Sequence, residues 1–235
     1  MYMSKKINYL PVLILLFVLV SCGQTGKKAS PEKVFISSQY RVAIEFILEQ
    51  EASKDAFIDL LKASPMECFN WKNHVVLFGN SADTLDIKGI IDQTDFDVTV
   101  KKYNSPFYVF DRASRCEDTT IQKPWKNYLL TANLVKGTTL QQEYLNYHKT
   151  QFEEWPEVAQ GFCKANFQQL LVFRNGRQLM LVISIPGDKT LDELNPLTVE
   201  NNPRMDEWNT IMGKYQEGIE GTAPNETWVF LEKVN

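Results

Sequence analysis

The segment from Phe167 to Ile185, "FQQLLVFRNGRQLMLVISI", contains two apolar runs that are separated by Asn175-Gly176. Both runs are rich in the branched and aromatic side chains that are common in strands. Because Asn-Gly readily adopts the positive φ angles of a type I′ turn, the segment predicts a β-hairpin with this dipeptide at its tip. The hairpin is the reference point for the elements on either side of it.

The elements around the hairpin follow the order β-α-β-β-α-β. A strand, "NYLLTANLV", is predicted from Asn127. A long helix should follow from about Thr139 to Lys164, and it should be kinked or restarted at Trp155-Pro156 because proline lacks the N–H of a helix interior. After the hairpin, "NPRMDEWNTIMGKYQ" predicts a helix and "TWVFLEKV" a closing strand.

The first part of the chain repeats the same order. "QYRVAIEFIL" predicts a strand, "SKDAFIDLLKAS" a helix, and two strands flank Lys72-Asn73 as a hairpin. "DTLDIKGIIDQT" follows as a second helix, and "FDVTVKK" with "PFYVFD" supplies the final strand material. The expected fold class is therefore α+β. Two tandem ferredoxin-like (β-α-β-β-α-β) units would pack their open sheet faces together, as an intramolecular counterpart of a dimeric α/β-barrel. Two independent domains are the alternative.

The N-terminus predicts an export signal. Lys5 and Lys6 precede an apolar run from Tyr9 to Val20, which is shorter than the roughly 20 residues that span a bilayer. The run ends in a sequence similar to the bacterial lipoprotein box, so we expect a lipid anchor on Cys22 and a membrane-anchored lipoprotein that faces the periplasm or the cell exterior. An ordinary cleaved signal peptide, with Cys22 incidental, is the alternative.

The predicted organisation has five parts. They are a lipoprotein signal peptide (1–21), a flexible tether (22–38), a first ferredoxin-like unit (39–113, the first half), a linker (114–126) and a second unit (127–235, the second half). The net charge of −4, without a basic patch, argues against a nucleic-acid partner. Cys68, Cys116 and Cys163 lack the spacing of a metal site. Each is expected to be a small buried apolar residue, although an exported protein could pair two of them.

Two polar residues mark the long helix. His148 lies within a stripe of apolar residues at spacings of three and four, and Tyr144 lies one turn before it. An imidazole and a phenol would then face the sheet, where a small ligand fits. The alternative is a hydrogen-bonded core histidine. In the first half Phe57 and Leu61 hold the corresponding positions, so that half is expected to have no catalytic groups there. His74 is expected to be a turn residue.

The second half resembles the L-rhamnose mutarotase family over about Asn127 to Val234. The resemblance is carried by "EYLNYH" (143–148), "WPEV" (155–158), "LLVFRNGRQLMLVIS" (170–184), "DEWNTIM" (206–212) and the closing "WVFLEKV" (228–234). It implies a ferredoxin-like fold and an enzyme that interconverts the α and β anomers of a deoxysugar without a metal or an organic cofactor. A homo-oligomer is a further possibility, since the family works as a dimer.

The resemblance also implies roles for single residues. His148 matches the family's proton donor and is the expected catalytic residue. Tyr144 matches a substrate-binding tyrosine, and Trp208 matches the second of two tryptophans that line the sugar site. Two positions depart from the family: Glu207 stands at the first tryptophan, and Gln169 aligns with another substrate-binding tyrosine. The helix also carries extra residues between His148 and Trp155. All four are expected to bind substrate. The departures leave open L-rhamnose, a sugar with more hydroxyls, a uronic acid, or a site that has lost activity.

The expected reaction is general acid–base catalysis of ring opening and closure, in which an imidazole moves a proton between two oxygens of the sugar. The expected partners are a monosaccharide and, through Cys22, a membrane. A non-catalytic carbohydrate-binding lipoprotein is the main alternative. A small oxygenase or haem-degrading protein of the same paired-sheet architecture is another, although a shared fold does not carry a function.

Overall fold

The computed structural model describes residues 41–80 and 85–234, which form one compact unit. The predicted signal peptide, Cys22 and the tether lie outside the described residues. Within the described ranges, no helix combines the length and the apolar character needed to cross a membrane.

The unit is built from ten strands and seven α-helices in the described residues. The strands are β1 (Arg41–Leu48), β2 (Glu67–Trp71), β3 (His74–Asn80), β4 (Val98–Tyr103), β5 (Tyr108–Asp111), β6 (Trp125–Leu134), β7 (Gln169–Asn175), β8 (Gln178–Pro186), β9 (Gln216–Glu217) and β10 (Val229–Lys233). The helices are α1 (Lys54–Leu61), α2 (Ile87–Ile91), α3 (Arg112–Arg115), α4 (Thr138–Glu154), α5 (Pro156–Lys164), α6 (Leu191–Leu194) and α7 (Pro203–Gly213). 3₁₀ turns at Glu51–Ser53 and Asn195–Thr198 precede α1 and follow α6.

The strands form one antiparallel sheet in the order β4-β1-β3-β2-β10-β6-β8-β7-β5, with β9 added on β6. The first half contributes β4-β1-β3-β2 and the second half β10-β6-β8-β7. Each run places the fourth strand of its half at one end, followed by the first, third and second. This is the strand order of a split β-α-β unit, so the predicted pair of ferredoxin-like units is confirmed.

The last strand of each half pairs with a strand of the other half. Val229–Leu231 of β10 pair with β6, while Glu232 and Lys233 pair with β2 of the first half. In return β5, the strand after β4, pairs with β7 of the second half. Backbone ladders thus join the halves at two edges, which gives one chain the arrangement of a two-subunit barrel.

Alternation along the strands separates two kinds of core. On β1, Ala43 packs in the interior shared by the halves, whereas Ile44 and Phe46 pack under the helices of the first half. The shared apolar interior contains Ala43, Phe69, Val76, Phe78, Tyr103, Leu129, Leu171, Phe173, Met180, Val182 and Leu231. The helices of the second half cover the other face of β6, β7 and β8.

A buried carboxylate, Glu45, lies in this shared interior. His74, expected to be a turn residue, is buried instead, and its Nδ1 lies 2.8 Å from Glu45 Oε1. The Tyr103 hydroxyl donates to Glu45 Oε2 at 2.8 Å, and Gln178 Nε2 donates to Glu45 Oε1 and to Thr131 Oγ1, each at 2.9 Å. Burial raises the pKa of Glu45, but the hydrogen bond and charge of His74 and the hydrogen bond of Tyr103 hold it below its ordinary value. Both oxygens of this buried carboxylate therefore have hydrogen-bond partners, and these partners come from both halves of the chain.

Two sequence expectations are corrected here. Cys116 and Cys163 form a disulfide between the segment after α3 and helix α5, whereas Cys68 is free, with a pKa raised by burial to about 11. At the second hairpin Asn175 still pairs in the ladder, so the loop residues are Gly176 and Arg177. Of these only Gly176 has a positive φ, of 60°. That pattern is typical of a type II′ turn and not of the predicted type I′.

Candidate functional site

A cavity of about 330 Å³ lies between the outer face of the sheet in the second half and helices α4, α5 and α7. Its volume is near the lower end of the range of about 300–1,000 Å³ that small-molecule sites occupy. One part of its wall is apolar, with Leu170 and Ile183 from the sheet and Phe162 from α5. Its members with a polar side-chain group are Tyr108, Tyr144, His148, Asn195, Trp208, Asn209, Gln216 and Trp228. None of the described residues that line it carries a full charge at neutral pH.

Helix α4 brings the phenol and the imidazole to this cavity. Its buried positions are Gln141, Tyr144, His148 and Gln151, which recur at spacings of three and four and so share one face of the helix. The predicted interruption is confirmed, because α4 ends at Glu154 and Pro156 begins α5. Proline is well suited to the first position of a helix, where no N–H is needed.

His148 is held in one orientation and one tautomer. Its Nδ1 lies 2.9 Å from the backbone oxygen of Tyr144. A carbonyl oxygen can only accept, so Nδ1 carries the hydrogen and the neutral ring keeps its lone pair on Nε2. Nε2 has no protein hydrogen bond within the described chain. Burial lowers the pKa of His148 to about 4, against the opposing effect of the Tyr144 carbonyl, so the ring is a neutral base at pH 7.

Aromatic rings surround this imidazole. Ring centroids lie 4.3 Å away for Tyr144, 5.2 Å for Tyr108, 5.3 Å for Trp208 and 5.6 Å for Phe107. Tyr108 is itself fixed, since its hydroxyl donates to Gln151 Oε1 at 2.7 Å. These rings displace water from the imidazole and restrict its movement, which explains why its charged form is disfavoured.

The phenol of Tyr144 also has a defined partner. Gln216 Nε2 donates to the Tyr144 hydroxyl at 3.2 Å, and Trp228 Nε1 donates to Gln216 Oε1 at 3.0 Å. Burial raises the pKa of Tyr144 above its ordinary value, and the hydrogen bond from Gln216 opposes this only partly. The phenol is therefore protonated at neutral pH, beside an imidazole that can accept a proton.

Residues 127–235 match the model of the L-rhamnose mutarotase family. The resemblance expected for the second half is confirmed by this match, and we refer to residues 127–235 as the mutarotase-like half. An L-fucose mutarotase from Xanthomonas campestris pv. campestris is 28% identical over 86 residues, which cover 37% of this chain and 67% of that protein. A UPF0734 protein from Dictyostelium discoideum is 26% identical over 102 residues, or 43% of this chain and 79% of that protein.

Two solved structures from Listeria are also similar over most of the chain. One is a ferredoxin fold protein from Listeria monocytogenes related to antibiotic biosynthesis monooxygenases; it is 8% identical, with a TM-score of 0.38, and the match covers 84% of this chain and 97% of that one. The other is a monooxygenase-like protein from Listeria innocua that is 11% identical, with a TM-score of 0.38 and coverages of 84% and 96%.

Within the mutarotase-like half, three of the five predicted site residues meet at the cavity: His148, Tyr144 and Trp208. Gln169 is placed elsewhere. Leu171, two residues along β7, faces the shared interior, and Gln169 faces the same side because alternate residues of a strand share a face. Leu170, between them, lines the cavity. A shift of one residue along a strand reverses the face, so Gln169 lies on the wrong side of the sheet to contact a ligand beside His148.

Glu207 is also placed outside the cavity. Its carboxylate is half-exposed and forms an ion pair with Arg204 at 2.6 Å. Met205, Trp208, Asn209 and Met212 share the face of α7 that lines the cavity, and Glu207 lies outside that face because each residue of a helix is turned by about 100° from the one before it. The expected substrate contacts of Gln169 and Glu207 are therefore corrected.

Several cavity residues were missed by the sequence analysis. Tyr108 comes from β5, the strand that the first half contributes to the mutarotase-like half, and no local pattern reveals that exchange. Gln216 lies on a strand of two residues. Asn209 could have been found, because Met205, Trp208, Asn209 and Met212 form a stripe at spacings of three and four along α7, and all four line the cavity.

Proposed function

We propose that the mutarotase-like half interconverts the α and β anomers of a neutral monosaccharide, L-rhamnose or a close relative. The carrying observation is a neutral imidazole, His148, with its Nδ1–H held by a carbonyl and its Nε2 left for a ligand, beside a phenol in one small cavity. The family match over residues 127–235 supports the same reaction.

The reaction needs one proton removed and one supplied. The anomeric hydroxyl gives its proton to Nε2 of His148, the bond between the anomeric carbon and the ring oxygen breaks, and the ring oxygen gains a proton. After rotation about the adjacent carbon–carbon bond, the ring closes on the other face and the protons return. Because its depressed pKa leaves the ring unprotonated at pH 7, His148 must accept a proton before it can donate one. General acid–base help of this kind is typically worth about 10²–10⁴-fold.

The cavity also distinguishes among the expected sugars. A uronic acid would place a carboxylate beside walls that hold no cation among the described residues, and an unpaired buried charge is strongly unfavourable. A neutral deoxysugar fits better, because the methyl group can contact the apolar wall. Trp208 offers a flat apolar face to the sugar's C–H groups, while the exposed amides of Asn195 and Asn209 can bind hydroxyls near the mouth.

A location outside the cytoplasm is part of the proposal. The lipoprotein-like sequence at Cys22 motivates it, and the Cys116–Cys163 disulfide supports it, since such bonds persist mainly in oxidising compartments. We expect Cys22→Ser to release the protein from the membrane fraction while anomer exchange in vitro is unchanged. Retention of the variant in membranes would contradict the anchor.

The proposed activity is tested by exchange NMR of anomeric protons, with L-rhamnose, L-fucose and a uronic acid as substrates. We expect catalysed exchange of at least one neutral deoxysugar, little effect on the uronic acid, and loss of catalysis in His148→Ala. Lys149→Ala is the matched control, because Lys149 is the exposed neighbour on the same helix. Binding without exchange, unaffected by His148→Ala, would favour a non-catalytic carbohydrate-binding protein.

A further inference from the structure

The hydroxyl of Tyr144 is the end of a hydrogen-bond relay that starts on the sheet. An indole N–H can only donate, so the contact of 3.0 Å from Trp228 Nε1 fixes the oxygen of the Gln216 amide on the tryptophan side. The amide nitrogen must then point the other way, where it donates to the Tyr144 hydroxyl at 3.2 Å. The relay sets the direction of each donor without ambiguity.

The relay has a consequence for the phenolic proton. A hydroxyl that accepts a hydrogen bond from Gln216 still has its own proton to donate. Within residues 41–80 and 85–234 no protein acceptor receives it, and Tyr144 lines the cavity beside His148. The open direction for this proton is therefore the space that a sugar would occupy.

We propose that Gln216 is a positioning residue, held by Trp228, that turns the hydroxyl proton of Tyr144 toward the ring oxygen of the substrate. This inference rests on the proposed mutarotase function. When the ring opens, the electron pair of the breaking carbon–oxygen bond goes to the ring oxygen, which takes the proton of Tyr144, while the anomeric proton goes to His148. The resulting phenolate accepts the Gln216 N–H, and ring closure returns both protons.

The placement of the relay residues fits this role. Gln216 lies on β9 and pairs with Leu134 of β6, and Trp228 immediately precedes β10, which pairs with the same strand. Both are thus fixed by the sheet, whereas Tyr144 and His148 lie on helix α4. A donor anchored on a separate rigid element holds the phenol in register with the imidazole more strictly than helix packing alone.

The sharpest test is Gln216→Glu, which keeps the shape but replaces the amide donor by a group that only accepts when ionised. At about pH 7.5 the phenol would then donate to the carboxylate and not to the sugar, so we expect kcat to fall by about 10-fold or more. Protonation of the carboxyl restores a donor, so the rate should recover as the pH falls toward about 5. The wild type should show no such rise, because the Gln216 amide does not titrate and His148 stays largely unprotonated until the pH nears 4.

A double-mutant cycle with Tyr144→Phe separates positioning from a structural role. If Gln216 acts through the phenol, Gln216→Glu should have little further effect on kcat in the Tyr144→Phe background. Trp228→Phe keeps an aromatic ring but removes the N–H; it should lower kcat by a few-fold with KM nearly unchanged. This variant takes the place of Gln216→Glu in the cycle if the latter does not fold.

The outcomes separate the two proposals. An active wild type in which Gln216→Glu lowers kcat equally at every pH, or equally with and without the Tyr144 hydroxyl, overturns the relay and leaves the mutarotase function standing. A wild type without catalysed exchange on any sugar overturns both. Recovery at acid pH that disappears in the Tyr144→Phe background supports the relay.

Discussion

The two halves of the molecule share one strand order but differ in the chemistry of the side chains that their first helices bury against the sheet. Counted from Glu51, where the first helical segment begins, Phe57 is the seventh residue and Leu61 the eleventh. Counted from Thr138 at the start of α4, the seventh is Tyr144 and the eleventh is His148. All four side chains are buried against the sheet. Equivalent positions therefore hold hydrocarbon in one half and titratable groups in the other.

The difference shows that the scaffold does not require polar residues at these positions. In the first half the ring of Phe57 packs against Phe46 at 5.1 Å and Phe96 at 6.4 Å between centroids. In the mutarotase-like half the longer α4, together with α5 and α7, encloses the cavity beside His148. The first half still takes part in the site, because its strand β5 supplies Tyr108.

The largest effect is expected when the mutarotase-like half receives the residues of the first. Tyr144→Phe combined with His148→Leu should reduce anomer exchange to the uncatalysed rate, a loss of about 10²–10⁴-fold. The fold should persist, because both replacements keep the apolar contacts of the side chains, and the loss of the Tyr144 hydroxyl leaves only Gln216 Nε2 without its partner, at a cost of about 1–3 kcal/mol. Exchange NMR and thermal unfolding measure the two quantities. Retained catalysis in the double variant would contradict the claim that Tyr144 and His148 give the mutarotase-like half its activity.

The reciprocal change tests whether the first half can accept the chemistry. Leu61→His places an imidazole in an apolar core without the cavity or the aromatic frame of His148, so we expect a loss of about 3 kcal/mol in the free energy of unfolding and no gain of activity. Leu61→Met is the control, with an expected loss below about 1.5 kcal/mol. Urea denaturation compares them. Equal stability of the two variants would show that the first half tolerates a buried imidazole.

Stability should depend on pH through His148, whose counterpart in the first half, Leu61, does not titrate. Its pKa is about 4 in the folded protein and about 6.5 when unfolded, so the unfolded state binds more protons between these values. The free energy of unfolding is therefore unaffected by this group above about pH 6.5, and it decreases as the pH falls from there toward 4. Between about pH 7 and pH 5 the wild type should lose about 2 kcal/mol more than His148→Leu in urea unfolding. Parallel losses in both proteins would contradict the depressed pKa.

The smallest effects are expected at the two corrected site residues. Gln169 faces away from the cavity and Glu207 pairs with Arg204 at the surface. Gln169→Ala and Glu207→Gln should each change kcat/KM for the sugar by less than about 2-fold. Leu170→Ala, one position along from Gln169, should raise KM more, because it removes part of the cavity wall. A larger effect of Gln169→Ala would restore the direct role expected from the resemblance.

Local patterns predicted most of the fold. The alternation of β1, the apolar runs of the second hairpin, and Pro156 each act within a few residues, so they specify strands, a hairpin and a helix break without knowledge of the rest. The turn type was wrong because register, and not the Asn-Gly dipeptide alone, determines which residues form the loop. His74 was misjudged for a similar reason: its partner Glu45 lies on a different strand.

The site divides in the same way. Helical spacing alone placed Tyr144 and His148 on one face, and the resemblance added Trp208. The three-dimensional arrangement added Tyr108 from the exchanged strand, the relay from Trp228 to Tyr144, the proton on Nδ1 of His148, and the exclusion of Gln169 and Glu207. Sequence periodicity determines which way a side chain points from its own backbone. Which other groups it meets depends on pairing between distant strands, and burial and hydrogen bonding there determine its proton affinity.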